Sequence, residues 1–577
     1  RSRSQGLPPG GPSRQDIQMT ALWKSFATAD PFDGMTGQDP AILQDLVGGF
    51  WVDGETHCDV VDPMNGEAFI KVPDTQLLEP FFEGLIKCPK SGLHNPLKNN
   101  DRYVYLGRVC AKAAQMMADP DVEAYFARLI QRVMPKSWAQ CVGEVTVTRV
   151  FLENFSGDGV RFLARGFSNP GDHPGQESRG YRWPFGPVVI VAPFNFPLEI
   201  PALQTMGALF MGNRPLVKAA DKVCVVLEQF IRMLIHCGLD PDDLDLIQCP
   251  GRRMNELISS AADEIRLVQF TGSSWVAESL AETMHGKVRL EDAGFDWKVI
   301  GPDYDEEWLD YVAWQSDEDA YNASGQKCSA QSVLFVHDNW ADQLVPKLKE
   351  LAARRSLDDL TIGPVLTWTN SQIQEHIDAV LDVPGAQLLF GGAPLTGHNI
   401  PDCYGAYEPT AISVPLSEFD SDHFDLVAKE LFGPFQIIVR YGDADIDTVL
   451  SVLEGMSHHL TAAVVAQPGA EANRRQQREH DDQHGQHHAG QSAEHQQEAQ
   501  HDVAGGDAER CALADAAANR LAGPDSDLFL GSLFEHRNVE KAAGRPEDQR
   551  GGGLSPLYIL VFGEVGIAQL KNQFVHR

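Results

Sequence analysis

The 577-residue sequence lacks several features that would place it in a common protein class. It has no run of 18 or more apolar residues, so no segment predicts a membrane-spanning helix. Its ten cysteines form no C-x-x-C pair, which favours reduced thiols over a disulfide framework or a structural zinc site. Basic residues are outnumbered 47 to 81 by acidic ones, and the net charge of −34 argues against nucleic acid or an anionic membrane as partner.

The glycine-rich phosphate loop G-x-G-x-x-G is also absent, so the ordinary dinucleotide-binding fingerprint is missing. From about residue 42 to residue 466, short apolar runs nevertheless alternate with amphipathic stretches. The pattern predicts strands at residues 188–192, 215–218, 244–249 and 267–270, and helices at residues 200–211, 223–236 and 254–262. Such a succession of strand–helix–strand units predicts an α/β protein with a doubly wound parallel sheet.

Both ends of the sequence depart from this pattern. Residues 1–40 begin with arginines and serines and contain no acid before Asp16, which is typical of an organelle transit peptide or of a floppy terminus, and we expect them to be disordered. Residues 468–577 begin with a run rich in Gln, His, Glu and Asp that cannot build a core, so a disordered low-complexity tail is expected there. Within that tail the apolar residues 554–562 could form a strand, but the sequence does not indicate its partner.

Two segments carry side chains suited to covalent catalysis. Cys328 lies beside Lys327 in a Gly/Ser-rich segment, where a cationic pocket or a helix start would give a thiolate of low pKa. Taken alone, such a cysteine is more often a small buried apolar residue. Glu291 precedes a glycine turn and could act as a general base for water, although an isolated surface carboxylate is the more common case.

Two further segments follow predicted strands. Asn195 lies in the sequence Pro-Phe-Asn-Phe-Pro directly after the strand at residues 188–192, where its amide could donate to an oxyanion or satisfy the turn backbone. Gly272 lies in the sequence Phe-Thr-Gly-Ser after the strand at residues 267–270, and the N–H groups that follow it could approach a pyrophosphate.

The order of these motifs is more specific than any one of them. PFNFP, a strand ending in Lys218, FTGS, LEDAG, GQKCS and ELFGP occur in that order and together resemble the aldehyde dehydrogenase superfamily. The wider segments GYRWPFGPV, RLEDAGFDWKV and SGQKCSAQS are similar to its plant and algal Δ1-pyrroline-5-carboxylate dehydrogenase branch. The resemblance extends from about residue 49 to residue 465.

The resemblance implies two doubly wound parallel-sheet domains. Residues 41–293 would form the NAD-binding domain, with residues 167–187 as an oligomerisation flap, and residues 294–467 the catalytic domain. The family's further catalytic stretch, with its substrate-anchoring loop, is not found after residue 467, so this domain is expected to be truncated and followed by an aberrant tail.

The resemblance also implies a role for each matching residue. The catalytic residues would be Cys328 as nucleophile, Glu291 as the base that activates water, and Asn195 as oxyanion donor. The cofactor would contact Lys218 and Asp221 at the adenosine ribose, Gly272 and Ser273 near the pyrophosphate, and Glu430 and Phe432 at the nicotinamide ribose. Lys327 and Ser329 flank the nucleophile and are expected to contact the substrate.

The implied function is NAD-dependent oxidation of glutamate γ-semialdehyde to glutamate through a cysteine thioester, a step of proline catabolism. NAD is favoured over NADP because Asp221 would repel a 2′-phosphate. A homo-oligomer in the mitochondrial matrix is expected, with a cytoplasmic location as the alternative and with no metal, nucleic acid or membrane. Two other functions stay open: a dehydrogenase for another small aldehyde, and a nucleotide-binding pseudoenzyme that the aberrant C-terminal region prevents from turning over.

Overall fold

The structure, a computed structural model, describes residues 21–99, 101–292, 294–456 and 459–466, together with the backbone of Tyr558–Phe562. Most of the expected N-terminal transit segment and the expected tail at 468–577, apart from that strand, lie outside the described residues. No helix in the described part of the chain is long and apolar enough to cross a membrane.

Residues 21–40 are ordered, so the expected disorder of residues 1–40 is wrong for the second half of that range. A short 3-10 helix, Leu22–Ser25, buries Trp23, whose ring stacks on Tyr125 with centroids 4.8 Å apart. Phe26 is also buried and packs edge-on against the same ring. The Gly/Pro-rich composition of the terminus predicts disorder and gives no indication that these two aromatic side chains are buried.

The first half of the chain contains a layer of helices and short strands before the main alternation begins. The strands are β1 (Ala41–Ile42), β2 (Gln44–Val47), β3 (Phe50–Asp53), β4 (His57–Val61) and β5 (Ala68–Pro73). The helices are α1 (Glu79–Lys87), α2 (Asp101–Met117), α3 (Pro120–Val133), α4 (Trp138–Asn154) and α5 (Gly159–Leu163). A two-stranded hairpin follows, β6 (Phe167–Pro170) and β7 (Glu177–Gly180).

The first large sheet comes from the alternation that the sequence predicts. Its elements are β8 (Pro187–Val191), α6 (Glu199–Phe210), β9 (Arg214–Lys218), α7 (Cys224–His236), β10 (Asp245–Leu246), α8 (Gly251–Ser260), β11 (Leu267–Thr271), α9 (Ser274–Thr283) and β12 (Val288–Glu291). The strand order is β12-β11-β8-β9-β10-β2-β3. The five strands from β12 to β10 are parallel, whereas β2 and β3 add an antiparallel edge.

The second large sheet follows four residues later. Its elements are β13 (Asp296–Ile300), α10 (Leu309–Tyr321), β14 (Gln331–His337), α11 (Asp338–Ala352), α12 (Asn370–Leu381), β15 (Gln387–Phe390), β16 (Thr410–Ser413), α13 (Phe424–Val427), β17 (Phe435–Tyr441), α14 (Ile446–Gly455), β18 (Ala462–Ala466) and β19 (Tyr558–Phe562). The order is β15-β16-β17-β14-β13-β18-β19, parallel except for β15 and β19 at the two edges.

The fold therefore has two α/β sheets, each largely parallel, as the motif order implies. The antiparallel edges differ from the expected all-parallel sheets, because edge strands are recruited from distant parts of the chain and leave no local sequence signal. Within the strand predicted at 554–562, whose partner the sequence did not indicate, Tyr558–Phe562 pair with β18 over five residue pairs.

Candidate active site

The first sheet collects its candidate residues at one edge. In the parallel register Val191 lies opposite Lys218, Phe270 lies opposite Val191, and Thr271 lies opposite Glu291. The carboxyl ends of β8, β9, β11 and β12 therefore lie side by side. Asn195, Lys218, Gly272 and Glu291 stand at or just beyond these ends, which is where open α/β sheets bind ligands.

In the second sheet, strands β13 and β14 begin close to these strand ends. Only residues 292–295 separate β12 from β13, and Cys328 stands three residues before β14, the neighbour of β13. Gly294 lies directly against the backbone of Cys328, and a Cβ on this glycine would clash with the Cys328 carbonyl oxygen. The nucleophile candidate thus lies where the first sheet ends and the second begins.

Strained backbone presents Cys328. Ala323 and Ser324 have φ of 53° and 58°, a left-handed conformation that non-glycine residues rarely adopt, and Gly325 follows at 68°. The Ser324 hydroxyl donates to the Gly363 carbonyl (3.1 Å) and accepts from its N–H (2.7 Å). These bonds tie the loop to the segment before α12.

Gln326 adds a second anchor to this loop. Its side chain is completely buried, donates to the Pro364 carbonyl (3.0 Å) and accepts from the Leu366 N–H (2.8 Å). Because the surrounding structure determines the loop so closely, Cys328 has a defined position relative to its neighbours.

The Glu291 carboxylate lies close enough to the Cys328 thiol for its charge to act on the sulfur. Burial raises the pKa of this thiol well above its ordinary value, the negative charge of Glu291 raises it further, and Lys327 opposes the shift. The expectation of a low-pKa thiolate is therefore wrong. The surroundings of the sulfur carry more negative than positive charge, and the nearby Glu291 carboxylate can accept a proton.

Asn195 occupies the turn between β8 and α6 and is buried. Its side-chain amide makes no hydrogen bond within the described part of the chain, so it is available to a ligand. The preceding ring, Phe194, packs edge-on against Phe432 with centroids 5.8 Å apart. The Asn195 turn and the Glu430–Phe432 segment are therefore neighbours.

Glu430 lies near Gly294 and Asp296. Burial, with a contribution from the charge of Asp296, raises its pKa to about 8, although the nearby Gly294 N–H opposes the shift. Asp296 is also buried, and its pKa is raised to about 7 although it accepts hydrogen bonds from the N–H groups of Leu460 (2.7 Å) and Thr461 (2.9 Å). Asp296 begins β13 and Glu430 precedes β17, so both carboxyl groups lie towards the amino ends of strands in the second sheet.

The remaining candidates lie along the edge of the first sheet. Lys218 is buried at the end of β9, and its ammonium donates to Asp221 (2.7 Å) and to the Ala219 carbonyl (2.9 Å). Asp221 also lines a cavity of about 270 Å³ together with Cys249 and Pro250. Lys218 and Asp221 therefore place a buried cation next to a half-exposed carboxylate, and the carboxylate borders this cavity.

The turn after β11 is open to solvent. Gly272 and Ser273 are exposed, and a Cβ on Gly272 would press against the Phe270 ring at 2.6 Å. The Ser273 side chain makes no capping bond to α9. Close by, Gln204 donates to the Thr271 hydroxyl (2.9 Å), but its side-chain oxygen is buried without a hydrogen-bond partner. Free donors and an orphaned acceptor here fit a polar ligand.

Lys327 and Ser329 are half-buried on either side of Cys328. Lys327 lowers the pKa of Cys328, Asp296 and Glu199, so its ammonium is central among these groups. Glu199, in the first turn of α6, was not among the candidates selected from the sequence. Neither were Lys136 and Glu144, whose charges are buried under the Asn195 turn. No sequence signal reveals that this lysine and this glutamate will be buried there as a pair.

These features define a class: an α/β protein in which a half-buried cysteine and a carboxylate lie close together between two sheets, beside an amide that makes no hydrogen bond within the described residues. A family model described as "Aldehyde dehydrogenase family" matches residues 51–501. The Arabidopsis thaliana protein "Delta-1-pyrroline-5-carboxylate dehydrogenase 12A1, mitochondrial" is 56% identical over 446 residues, which cover 76% of this chain and 79% of that protein. A Linum usitatissimum protein named "Probable aldehyde dehydrogenase" is 54% identical over 445 residues, covering 76% and 80%.

Solved structures share the fold. A betaine aldehyde dehydrogenase from Staphylococcus aureus, in complex with NAD+, superposes with a TM-score of 0.61 at 20% identity over 73% of this chain and 82% of its own. The chain belongs to the aldehyde dehydrogenase family. The family and the α/β fold class predicted from the motif order are thereby confirmed, and the family match continues past residue 465, where the motif resemblance ends.

Proposed function

We propose that this chain oxidises glutamate γ-semialdehyde, the open form of Δ1-pyrroline-5-carboxylate, to glutamate with NAD as oxidant. The observation that carries the proposal is the position of Cys328 at the junction of the sheets, close enough to the Glu291 carboxylate for its charge to raise the thiol pKa. The substrate is inferred from the 56% identity to a protein named for this activity. That name also supports a mitochondrial location for this chain.

The cleft residues fit a dinucleotide. The Lys218 ammonium and the Asp221 carboxylate would hold the adenosine ribose, and the exposed turn at Gly272 and Ser273 allows close approach of a pyrophosphate. Glu430, whose pKa is about 8, keeps its proton at neutral pH and can both donate to and accept from ribose hydroxyls. Phe432 packs beside it. When bound, the nicotinamide supplies a hydride acceptor.

Catalysis would begin with proton transfer from the Cys328 sulfur to the Glu291 carboxylate. The thiolate attacks the aldehyde carbon, and the carbonyl oxygen becomes an alkoxide held by the Asn195 amide and the backbone N–H of Cys328. Loss of the aldehydic hydrogen with its electron pair leaves a thioester on Cys328. Glu291, its proton passed to solvent, then takes a proton from a water molecule, which attacks the thioester and releases glutamate and the thiol.

Substrate recognition falls to the residues next to the nucleophile. Lys327 is half-buried and its charge acts on the groups around Cys328, so it is placed to receive the α-carboxylate of the semialdehyde. Ser329 offers a hydroxyl on the other side. Asp221, beside the proposed ribose site, would repel a 2′-phosphate, which favours NAD over NADP.

The test is NADH formation by the purified chain supplied with NAD and glutamate γ-semialdehyde. We expect turnover that falls by at least about 1,000-fold in Cys328→Ala, because the covalent intermediate cannot form. Cys403→Ala is the matched control: it removes an exposed cysteine that is not among the candidate site residues, and it should turn over at the wild-type rate.

Three results would contradict separate parts of the proposal. Nucleotide binding without NADH formation would make the chain a pseudoenzyme. Equal kcat/KM for propanal and the semialdehyde would remove the substrate assignment. A lower KM for NADP than for NAD would overturn the cofactor assignment.

A further inference from the structure

The charged pair Lys136–Glu144 is buried beneath the Asn195 turn. Lys136 lies between α3 and α4 and is 1% exposed, and Glu144, in the second turn of α4, is 3% exposed. The ammonium nitrogen and the carboxylate Oε2 are 2.6 Å apart. Such a pair is a poor source of stability, because removing two charges from water offsets most of their attraction. Its presence under this turn calls for another explanation.

Both members of the pair also hold the main chain around Asn195. Lys136 donates to the Asn195 carbonyl oxygen (3.3 Å), and its ammonium lies over the Phe196 ring, 4.6 Å from the centroid. On the far side of the turn, Glu144 Oε1 accepts from the N–H groups of Leu198 (2.8 Å) and Glu199 (3.1 Å). The pair therefore grips the turn before and after the residue that carries the free amide.

The bonds from Glu144 also replace a missing helix cap. Helix α6 begins at Glu199, and Leu198 at its N-cap position has no side chain that could accept a hydrogen bond. The first N–H groups of a helix need acceptors, and the positive end of the helix dipole favours an anion there. Glu144 supplies both from a different helix, so the start of α6 is fixed relative to α4.

We infer that Lys136 and Glu144 are positioning residues that hold the Asn195 amide in place for the alkoxide formed on Cys328. The inference rests on the proposed function, in which Asn195 binds that alkoxide. Neither residue touches the substrate. They act by fixing the main chain on both sides of Asn195, which its own side chain cannot do because it makes no hydrogen bond within the described residues.

The variant that tests this is Lys136→Met with Glu144→Gln. It leaves no unpaired buried charge, and the Gln oxygen can still accept from Leu198 and Glu199, so the fold should persist. The bond to the Asn195 carbonyl is lost. We expect the pre-steady-state rate of NADH formation to fall about 10- to 100-fold, less than or equal to the loss in Asn195→Ala. The melting temperature and the alkylation rate of Cys328 by iodoacetamide should stay near those of the wild type.

A double-mutant cycle separates positioning from a structural role. In an Asn195→Ala background the same pair of substitutions should slow the reaction by less than about twofold, because the group they position is gone. The matched control is Arg214→Met with Asp245→Asn, which neutralises another buried ion pair (2.5 Å) near the amino end of β9, away from Lys218. It should leave the NADH rate unchanged.

The outcomes distinguish this inference from the proposed function. If Asn195→Ala retains the wild-type rate, the proposed role of Asn195 is wrong. If Asn195→Ala is slow but the Lys136/Glu144 variant is as fast as the wild type, the positioning inference is wrong. Equal losses from the Lys136/Glu144 substitutions in both backgrounds would also overturn it, since they would then act independently of Asn195.

Discussion

Burial raises the pKa of the Cys328 thiol, and two charged neighbours act on it in opposite directions. The charge of Glu291 raises the thiol pKa and the charge of Lys327 lowers it, on top of the larger effect of burial. In the proposed mechanism, this arrangement keeps the nucleophile protonated until the thiol passes its proton to the Glu291 carboxylate.

We therefore expect the rate of Cys328 alkylation by iodoacetamide to rise with pH through and beyond 9, the ordinary thiol pKa. Glu291→Gln removes a negative charge and should shift the profile to lower pH. Lys327→Met removes a positive charge and should shift it to higher pH. Mass spectrometry of the labelled cysteine at a series of pH values measures both shifts. Shifts of the opposite sign would show that the charges around the sulfur are wrongly assigned.

For single residues, the sequence indicated which side chains belong to one site but not how burial and charge shift their pKa values. The order of motifs assigns Glu291 and Cys328 to one site, and in the structure the carboxylate lies close enough to act on the thiol pKa. The thiol pKa could not be inferred, because desolvation depends on how the two sheets meet. Lys136 and Glu144 were missed for the same reason: their burial is a tertiary property.

Among the elements, the hairpin β6–β7 pairs only with itself among the described strands. Apolar side chains on it and just beyond it are unusually accessible, with Phe167 64% and Trp183 50% exposed. Exposed apolar groups on a projecting hairpin are typical of a surface that another protein copy covers. This agrees with the assignment of residues 167–187 as an oligomerisation flap, which stays a proposal.

We expect the wild-type chain to be an oligomer and Phe167→Ser/Trp183→Ser to reduce its mass towards the 63.4 kDa of one chain. The reason is the loss of apolar area at the contact. Light scattering coupled to size-exclusion chromatography measures the mass. Trp275→Ser, at a 74% exposed side chain on α9, is the control and should not change it. A monomeric wild type would contradict the proposal.

Local patterns predicted most of the first sheet well. The strand predicted at residues 215–218 is Arg214–Lys218, and the helix predicted at residues 223–236 is Cys224–His236. The strand predicted at 244–249 shrinks to Asp245–Leu246, and just beyond it the Gln248 N–H donates to the Asp45 side chain (2.6 Å) instead of extending the ladder. Partners this distant in sequence cannot be inferred from periodicity.

For the molecule as a whole, buried carboxyl groups link stability to pH. Burial raises the pKa of Asp296 to about 7, above the value of about 3.9 expected in the unfolded chain. The stability gained from its protonated form is therefore complete below about pH 4 and is lost as pH rises through about 7.

Asp296→Asn should remove this dependence. The Asn oxygen can still accept from Leu460 and Thr461, and its amide can donate to the Thr461 hydroxyl. The melting temperature of the variant minus that of the wild type should be higher at about pH 8 than at about pH 5. Thermal denaturation at both values measures this, with the exposed Asp402→Asn as control. A constant difference would mean that Asp296 is ionised throughout this range.

The pairing of β18 with β19 has a consequence for synthesis. Between Ala466 and Tyr558 lie 91 residues, so the strand that completes one side of the second sheet leaves the ribosome long after its partner. Until then the outer N–H and C=O groups of β18 are open to any other extended segment. The newly made chain must pass through a stage in which its active-site sheet is assembled on one side only.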